Sequence, residues 1–169
     1  EISLEGYAMH GIAVFIDCAT NNNNRTVADV RSYFAKCGGA LGINGSLEFI
    51  FDRKGVFTID SNNIIIHLED LEMELIDAGL ESLEAEEEEI IVYCDYTEFN
   101  NIQTKLEQLN IEIKNSQLQR IPNSFKKITV EQSENVLKLL DLLEENDDVQ
   151  HVFHNMQLTD EILAVIEAK

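Results

Sequence analysis

Residues 11–18, GIAVFIDC, form a short apolar run rich in β-branched side chains and predict a buried strand. The period then changes. Over residues 26–37 apolar side chains recur at Val27, Val30, Phe34 and Cys37, the spacing of one helix face, while Arg25, Asp29, Ser32 and Lys36 fall on another. Thr26-x-x-Asp29 has the form of a capping box, and Gly38-Gly39 that of a helix stop. Residues 46–53 alternate, with Leu47, Phe49 and Phe51 on one side, and residues 56–60 form a second strand pattern. Arg53-Lys54-Gly55 between the two predicts a β-hairpin turn. A helix follows over 69–78, with Leu71, Leu75 and Ala78 inward and Gly79 as its stop, and then a short strand over 80–85.

The same order recurs. Residues 90–95 predict a strand, and 98–109 a helix with Ile102, Leu106 and Leu109 inward. A strand over 112–121 is ended by Pro122, the only proline, and a shorter strand is expected over 125–130. Val136, Leu139, Leu140 and Leu143 line a helix over 131–145, and 149–154 close as a strand. Two β-α-β-β-α-β series predict an α+β fold of two ferredoxin-like (α/β plait) units, each an antiparallel sheet with two helices on one face. The expected division is 1–86, 87–157 and a terminal helix over 158–169 with Thr159 as N-cap. The run EAEEEE at 84–89 marks the boundary as a solvated, self-repelling linker.

Charge changes this picture. The net is -20, yet residues 1–66 carry five Lys/Arg against seven Asp/Glu, and residues 67–169 seven against twenty-five. The later part repels phosphate at long range, so an anionic partner is expected to meet the earlier part, or nothing. The candidate contacts there are Arg25, Arg31, Lys36, Arg53 and Lys54; a solvated helix face with a basic hairpin tip is the plainer alternative. No run approaches the length of a membrane span and no secretory segment is visible. Opening at Glu1 without Met is expected of a fragment.

Catalytic and metal chemistry find little support. Cys18, Cys37 and Cys94 are odd in number, lack a C-x-x-C spacing and sit among apolar residues, which suits buried reduced thiols in a cytoplasmic protein. His151 and His154 lie three apart on a predicted strand, hence on opposite faces, and cannot share an ion. The expectation is no enzyme, no cofactor and no metal. The glycines Gly38, Gly39, Gly42 and Gly45 lack the G-K-[ST] of a phosphate loop and follow a helix instead of preceding one. They read as a helix stop and a turn, with a backbone-amide nest for an anion as the alternative. Lys54-Gly55-Val56-Phe57 has the basic-glycine-aromatic form of an RNA-recognition strand, which would need Phe57 exposed for base stacking.

Several strings together resemble the YebC/PmpR family: Glu5-Gly6-Tyr7, Gly11-Ile12-Ala13-Val14, Asn23-Asn24-Arg25-Thr26, Lys36-Cys37-Gly38-Gly39, Gly42 with Gly45-Ser46, Phe51-Asp52-Arg53-Lys54-Gly55, Ile121-Pro122, Asn146-Asp147-Asp148-Val149-Gln150 and His154-Asn155. These are bacterial relatives of the mitochondrial translational activator of cytochrome c oxidase. The resemblance covers nearly the whole chain. It implies two α/β plaits, the second and third domains of the family, with strand exchange between the plaits and without the basic helical domain that precedes them. It implies a gene-expression regulator with no catalytic residues, acting on promoter DNA or on ribosomal RNA, with protein partners for the acidic face. An anion-sensing or oligomerising plait module is the alternative. The first turn departs from the family: Tyr7-Ala8-Met9-His10-Gly11 stands where Tyr-Gly-Pro-Gly-Gly is usual.

Overall fold

The helical stripes expected from the sequence are the buried stripes of the computed structural model, which describes residues 1–168. The helices are α1 (Asn23–Lys36), α2 (Leu68–Ile76), α3 (Phe99–Gln108), α4 (Val130–Glu145) and α5 (Asp160–Glu167). Val30 and Phe34 of α1, Leu71 and Leu75 of α2, Ile102 and Leu106 of α3, and Val136, Leu139 and Leu143 of α4 are all solvent-free. Thr159 caps α5 by accepting the Ile162 N–H; Lys169 lies outside the described residues. The strands are β1 (Ile2–Tyr7), β2 (Ala13–Cys18), β3 (Ala40–Leu41), β4 (Phe51–Asp60), β5 (Leu80–Ala85), β6 (Glu89–Asp95), β7 (Asn115–Pro122) and β8 (Val149–His154). They form two four-stranded sheets, ordered β3-β1-β2-β8 and β5-β6-β4-β7.

The chain divides into two units, but not in tandem at Glu86. One comprises 1–52 with 121–169, the other 53–120. The second unit runs β4-α2-β5-β6-α3-β7 and has the strand order of a ferredoxin-like plait. The first has the same spatial plan with its chain order permuted. There β2, β3 and β8 take the first, second and fourth places, and β1 takes the third. The sequence pattern does not predict β1 as a strand, because Glu5 and Gly6 occupy buried positions and break the alternation. Its antiparallel register with β2, from Ile2 opposite Cys18 to Tyr7 opposite Ala13, makes it one.

The place predicted for a strand over 46–53 is a succession of tight turns as far as Ile50, and strand begins only at Phe51. Backbone N–H groups of Ser46, Glu48 and Ile50 donate to the carbonyls of Ile43, Gly45 and Leu47, each three residues back. This coils the segment so that Leu47 and Phe51 are buried while Phe49 is 74% exposed. Leu47 and Phe51 pack on Ala13 and Phe15, the face of β2 turned away from the helices. The predicted hairpin is absent too. Arg53-Lys54-Gly55 lies inside the ten-residue strand β4. Gly55 is required there by close approach: a Cβ would stand 2.8 Å from both Cys94 Sγ and the Phe99 ring.

Two further local expectations give way to tertiary contacts. Asn22, not Thr26, caps α1, its side-chain oxygen accepting the Arg25 N–H at 3.1 Å. Thr26 is buried one turn further on, with its hydroxyl bonded to Asp148 at 2.9 Å. Residues 125–130 form no strand. Only Lys126 bridges to Met156, and Thr129 already closes a capping box with Gln132 at the start of α4.

The coiled segment generates a clear prediction. Leu47→Ala should cost about 2–5 kcal/mol in urea denaturation, because it empties a fully buried site. Phe49→Ala should stay within about 0.5 kcal/mol. Comparable losses at both positions would mean that the segment is a strand after all.

Candidate nucleic-acid interface

The five cations chosen from the sequence are divided between the two units. Arg25, Arg31 and Lys36 stand on α1 in the first unit, and Arg53 and Lys54 on β4 in the second. Three of them are already engaged. Arg25 Nη2 meets the Asp148 carboxylate at 2.9 Å. Lys54 Nζ meets Glu81 at 2.5 Å, and the Arg53 guanidinium stacks 4.4 Å above the Tyr96 ring centre. Arg31 and Lys36 are exposed and form no ion pair among the described residues.

The second unit neutralises its other lysines as well, Lys105 with Glu74 at 2.9 Å and Lys114 with Glu89 at 3.6 Å. Exposed Lys126, Lys127 and Lys138, all in the first unit, form no ion pair among the described residues. Sequence reasoning missed Lys126 and Lys127. The signal was present in Ser124-Phe125-Lys126-Lys127, but the expected strand over 125–130 hid it. Phe125 beside them is 60% exposed.

The departing turn at 8–11 lies between two of these cations. His10 and Gly11 are both left-handed, with φ of 66° and 75°. A Cβ on Gly11 would stand 2.7 Å from Lys126 Nζ, and one on Gly38, just past the end of α1 that carries Lys36, 2.7 Å from Met9 Cε. Lys126 therefore packs over the turn on one side and the end of α1 abuts it on the other, with His10 exposed.

The glycine run meets an acidic side chain of the chain itself. Buried Glu5 accepts the Gly45 N–H through Oε1, and the Glu5 carbonyl accepts the Gly42 N–H at 2.8 Å. Gly38 and Gly39 donate to the Ala35 and Phe34 carbonyls. All four amides proposed for an external nest are thus committed within the chain. Base stacking on Phe57 fails as well, because Phe57 is fully buried and stacks on Phe99 at 4.8 Å between ring centres.

The cysteines and histidines considered for chemistry lie apart in character. Cys18, Cys37 and Cys94 are buried free thiols, and burial pushes Cys18 and Cys94 up to about 11, away from thiolate reactivity. His151 is exposed, whereas burial of His154 pushes its imidazole below the usual value, with Nδ1 accepting the Met156 N–H at 3.1 Å. Among the described residues no three His, Cys, Asp or Glu side chains are grouped to hold a metal ion, and no helix is long and apolar enough to cross a membrane.

Fold and surface therefore define an α+β protein of two plait units that presents uncompensated cations on one of them. A family model describing the TACO1/YebC second and third domain matches residues 1–156, and the chain belongs to that family. It is 52% identical over 157 residues to a probable transcriptional regulatory protein of Porphyromonas gingivalis, covering 93% of this chain and 64% of that one. It is 49% identical to a probable transcriptional regulatory protein of Parabacteroides distasonis, covering 95% and 65%. The chain thus spans just under two thirds of the length of these curated relatives. The crystal structure of a conserved hypothetical protein from Aquifex aeolicus superposes with a TM-score of 0.79 at 37% identity, over 96% of this chain and 67% of the other.

The Arg25–Asp148 pair can be tested by pH. Hydrogen bonds from Arg25 and Thr26 hold the Asp148 carboxyl below its ordinary value of 3.8. A carboxyl lowered on folding adds stability above its unfolded value, and that stability is lost as pH falls through the folded one. Asp148→Asn should therefore lower Tm at neutral pH, and the difference from wild type should vanish as pH drops below 3.8. A difference independent of pH would show that the ion pair contributes nothing.

Proposed function

We propose that this chain is the plait portion of a nucleic-acid-associated regulator of gene expression without catalytic activity. The reading rests on one observation: the lysines that form no ion pair among the described residues, Lys36, Lys126, Lys127 and Lys138, all lie on the first unit, together with Arg31. Unneutralised Lys and Arg are the groups that release counterions from a phosphate backbone. The names of the relatives, probable transcriptional regulatory proteins, support the same reading. Of the original five candidates, Arg31 and Lys36 carry phosphate contact here. Arg25, Arg53 and Lys54 would first have to give up Asp148, Tyr96 and Glu81. The net charge of -20 opposes tight binding by these two plaits alone, so they add orientation to contacts made elsewhere in a longer protein. Promoter DNA and ribosomal RNA are the two targets of this chemistry, and the protein acts in the cytoplasm.

The test uses the full-length protein. Reversing Arg31, Lys36, Lys126 and Lys127 to Glu should weaken binding at least tenfold and flatten the dependence on salt, by about 0.7–0.9 in log–log slope per lost contact. Arg53→Glu with Lys54→Glu should do markedly less. The opposite ranking would move the interface to the second unit. Crosslinking in cells followed by sequencing of the attached nucleic acid decides between promoter DNA and ribosomal RNA.

A further inference from the structure

Helix α2 has two apolar faces, and only one is used. Leu71 and Leu75 are fully buried against the core of the second unit. On the other side Met73 is 68% exposed, Ile76 56% and Leu68 40%, with Ile65 fully exposed three residues before the helix. Leu68, Glu72 and Ile76 follow one another at four-residue spacing, and Glu69 and Met73 form the adjoining row, so these side chains share one surface. An exposed row of this kind on an otherwise polar helix marks a contact surface.

Its charge says what kind of partner fits. Residues 68–77 contain five carboxylates besides these apolar groups and no basic residue. Only Glu74 has a cation, Lys105; Glu69, Asp70, Glu72 and Asp77 form no ion pair among the described residues. Glu74 and Asp77 sit in the last turn and at the C-cap, where the helix dipole is itself negative and disfavours carboxylates. The unit as a whole carries sixteen acidic and five basic residues, so a second copy of this chain and an anionic lipid surface are both repelled.

We propose that the outer face of α2 is a docking surface for a basic amphipathic helix of a protein partner. The partner's apolar row lies across Leu68, Met73 and Ile76, and its flanking Lys and Arg side chains meet Glu69, Asp70, Glu72 and Asp77. This is the helix-in-groove mode of recognition with its charges distributed for specificity.

Fluorescence anisotropy of the intact chain with two labelled Lys/Leu peptides tests the assignment. One peptide places leucine at i, i+4 and i+7; the other has the same composition scrambled. The patterned peptide should bind on the order of tenfold tighter than the scrambled one, as expected when a few apolar anchors carry the energy. Met73→Ser with Ile76→Ser should abolish that preference without shifting the unfolding midpoint, since both side chains are exposed. Arg31→Glu with Lys36→Glu should leave it intact, which separates this surface from nucleic-acid contact. Equal binding of the two peptides, or a preference that survives the double substitution, would overturn the proposal. So would self-association in sedimentation velocity that the double substitution removes, or stronger binding to phosphatidylglycerol vesicles than to the patterned peptide.

Discussion

The central strand β2 of the first unit is buried on both faces from Ala13 to Ile16, and much of that unit follows from this. Val14, Ile16 and Cys18 enter the main core beside α1 and α4. Ala13 and Phe15 point the other way and are equally buried. An antiparallel sheet commonly leaves one face to water. Here the far face must be covered, and the segment after β3 coils over it with Leu47 and Phe51. Glu5 fastens that cover by accepting an N–H from Gly45 through its side chain and one from Gly42 through its carbonyl. The Gly42 and Gly45 amides are thus engaged by Glu5.

How much of this was legible depends on how local its cause is. The stripes of α1, α2, α3 and α4 were readable, because each buried face is encoded within about three turns of chain. So was the strand character of β2, β5, β6 and β8. The capping of α1 was misread because Asn22 and Thr26 are both competent caps, and the choice is made by Asp148, more than a hundred residues away. The segment 46–53 was misread because Leu47, Phe49 and Phe51 mimic the period of a strand; the repeated three-residue hydrogen bonds that override it leave no such trace. β1 hid behind a charged residue at a buried position. The permuted order of the first unit could not be seen either, since pattern reading assigns strands in chain order and β1 takes a place that chain order gives to another segment.

The candidate interface was half legible for the same reason. Composition locates cations but not their partners. Arg25 and Lys54 look as available in the sequence as Arg31 and Lys36, until Asp148 and Glu81 are seen beside them. Carboxylates distant in sequence neutralise Arg25 and Lys54, and Tyr96 holds Arg53, so a basic island of five shrinks to two residues, while Lys126 and Lys127 lie outside that island. The two units thus differ in kind. The first, with seven basic and sixteen acidic residues, pairs Arg25 but leaves its exposed lysines without an ion pair among the described residues, whereas the second spends its lysines on internal pairs and turns carboxylates outward.

The insertion of one unit within the other also sets an order of events during synthesis. The second unit is continuous from Arg53 to Arg120, so all its strands have been made before the first unit has its full set. β2 must wait for β8, whose Val149 pairs with Cys18 across some 130 residues of chain. Until β8 emerges, one edge of β2 is an unpaired, apolar strand, the kind of edge that recruits strands from other chains. A chain stalled between residues 121 and 148 would carry a complete acidic plait and an open apolar one. The early, highly charged unit would then act as a built-in solubilising tag for the unfinished half of its own protein.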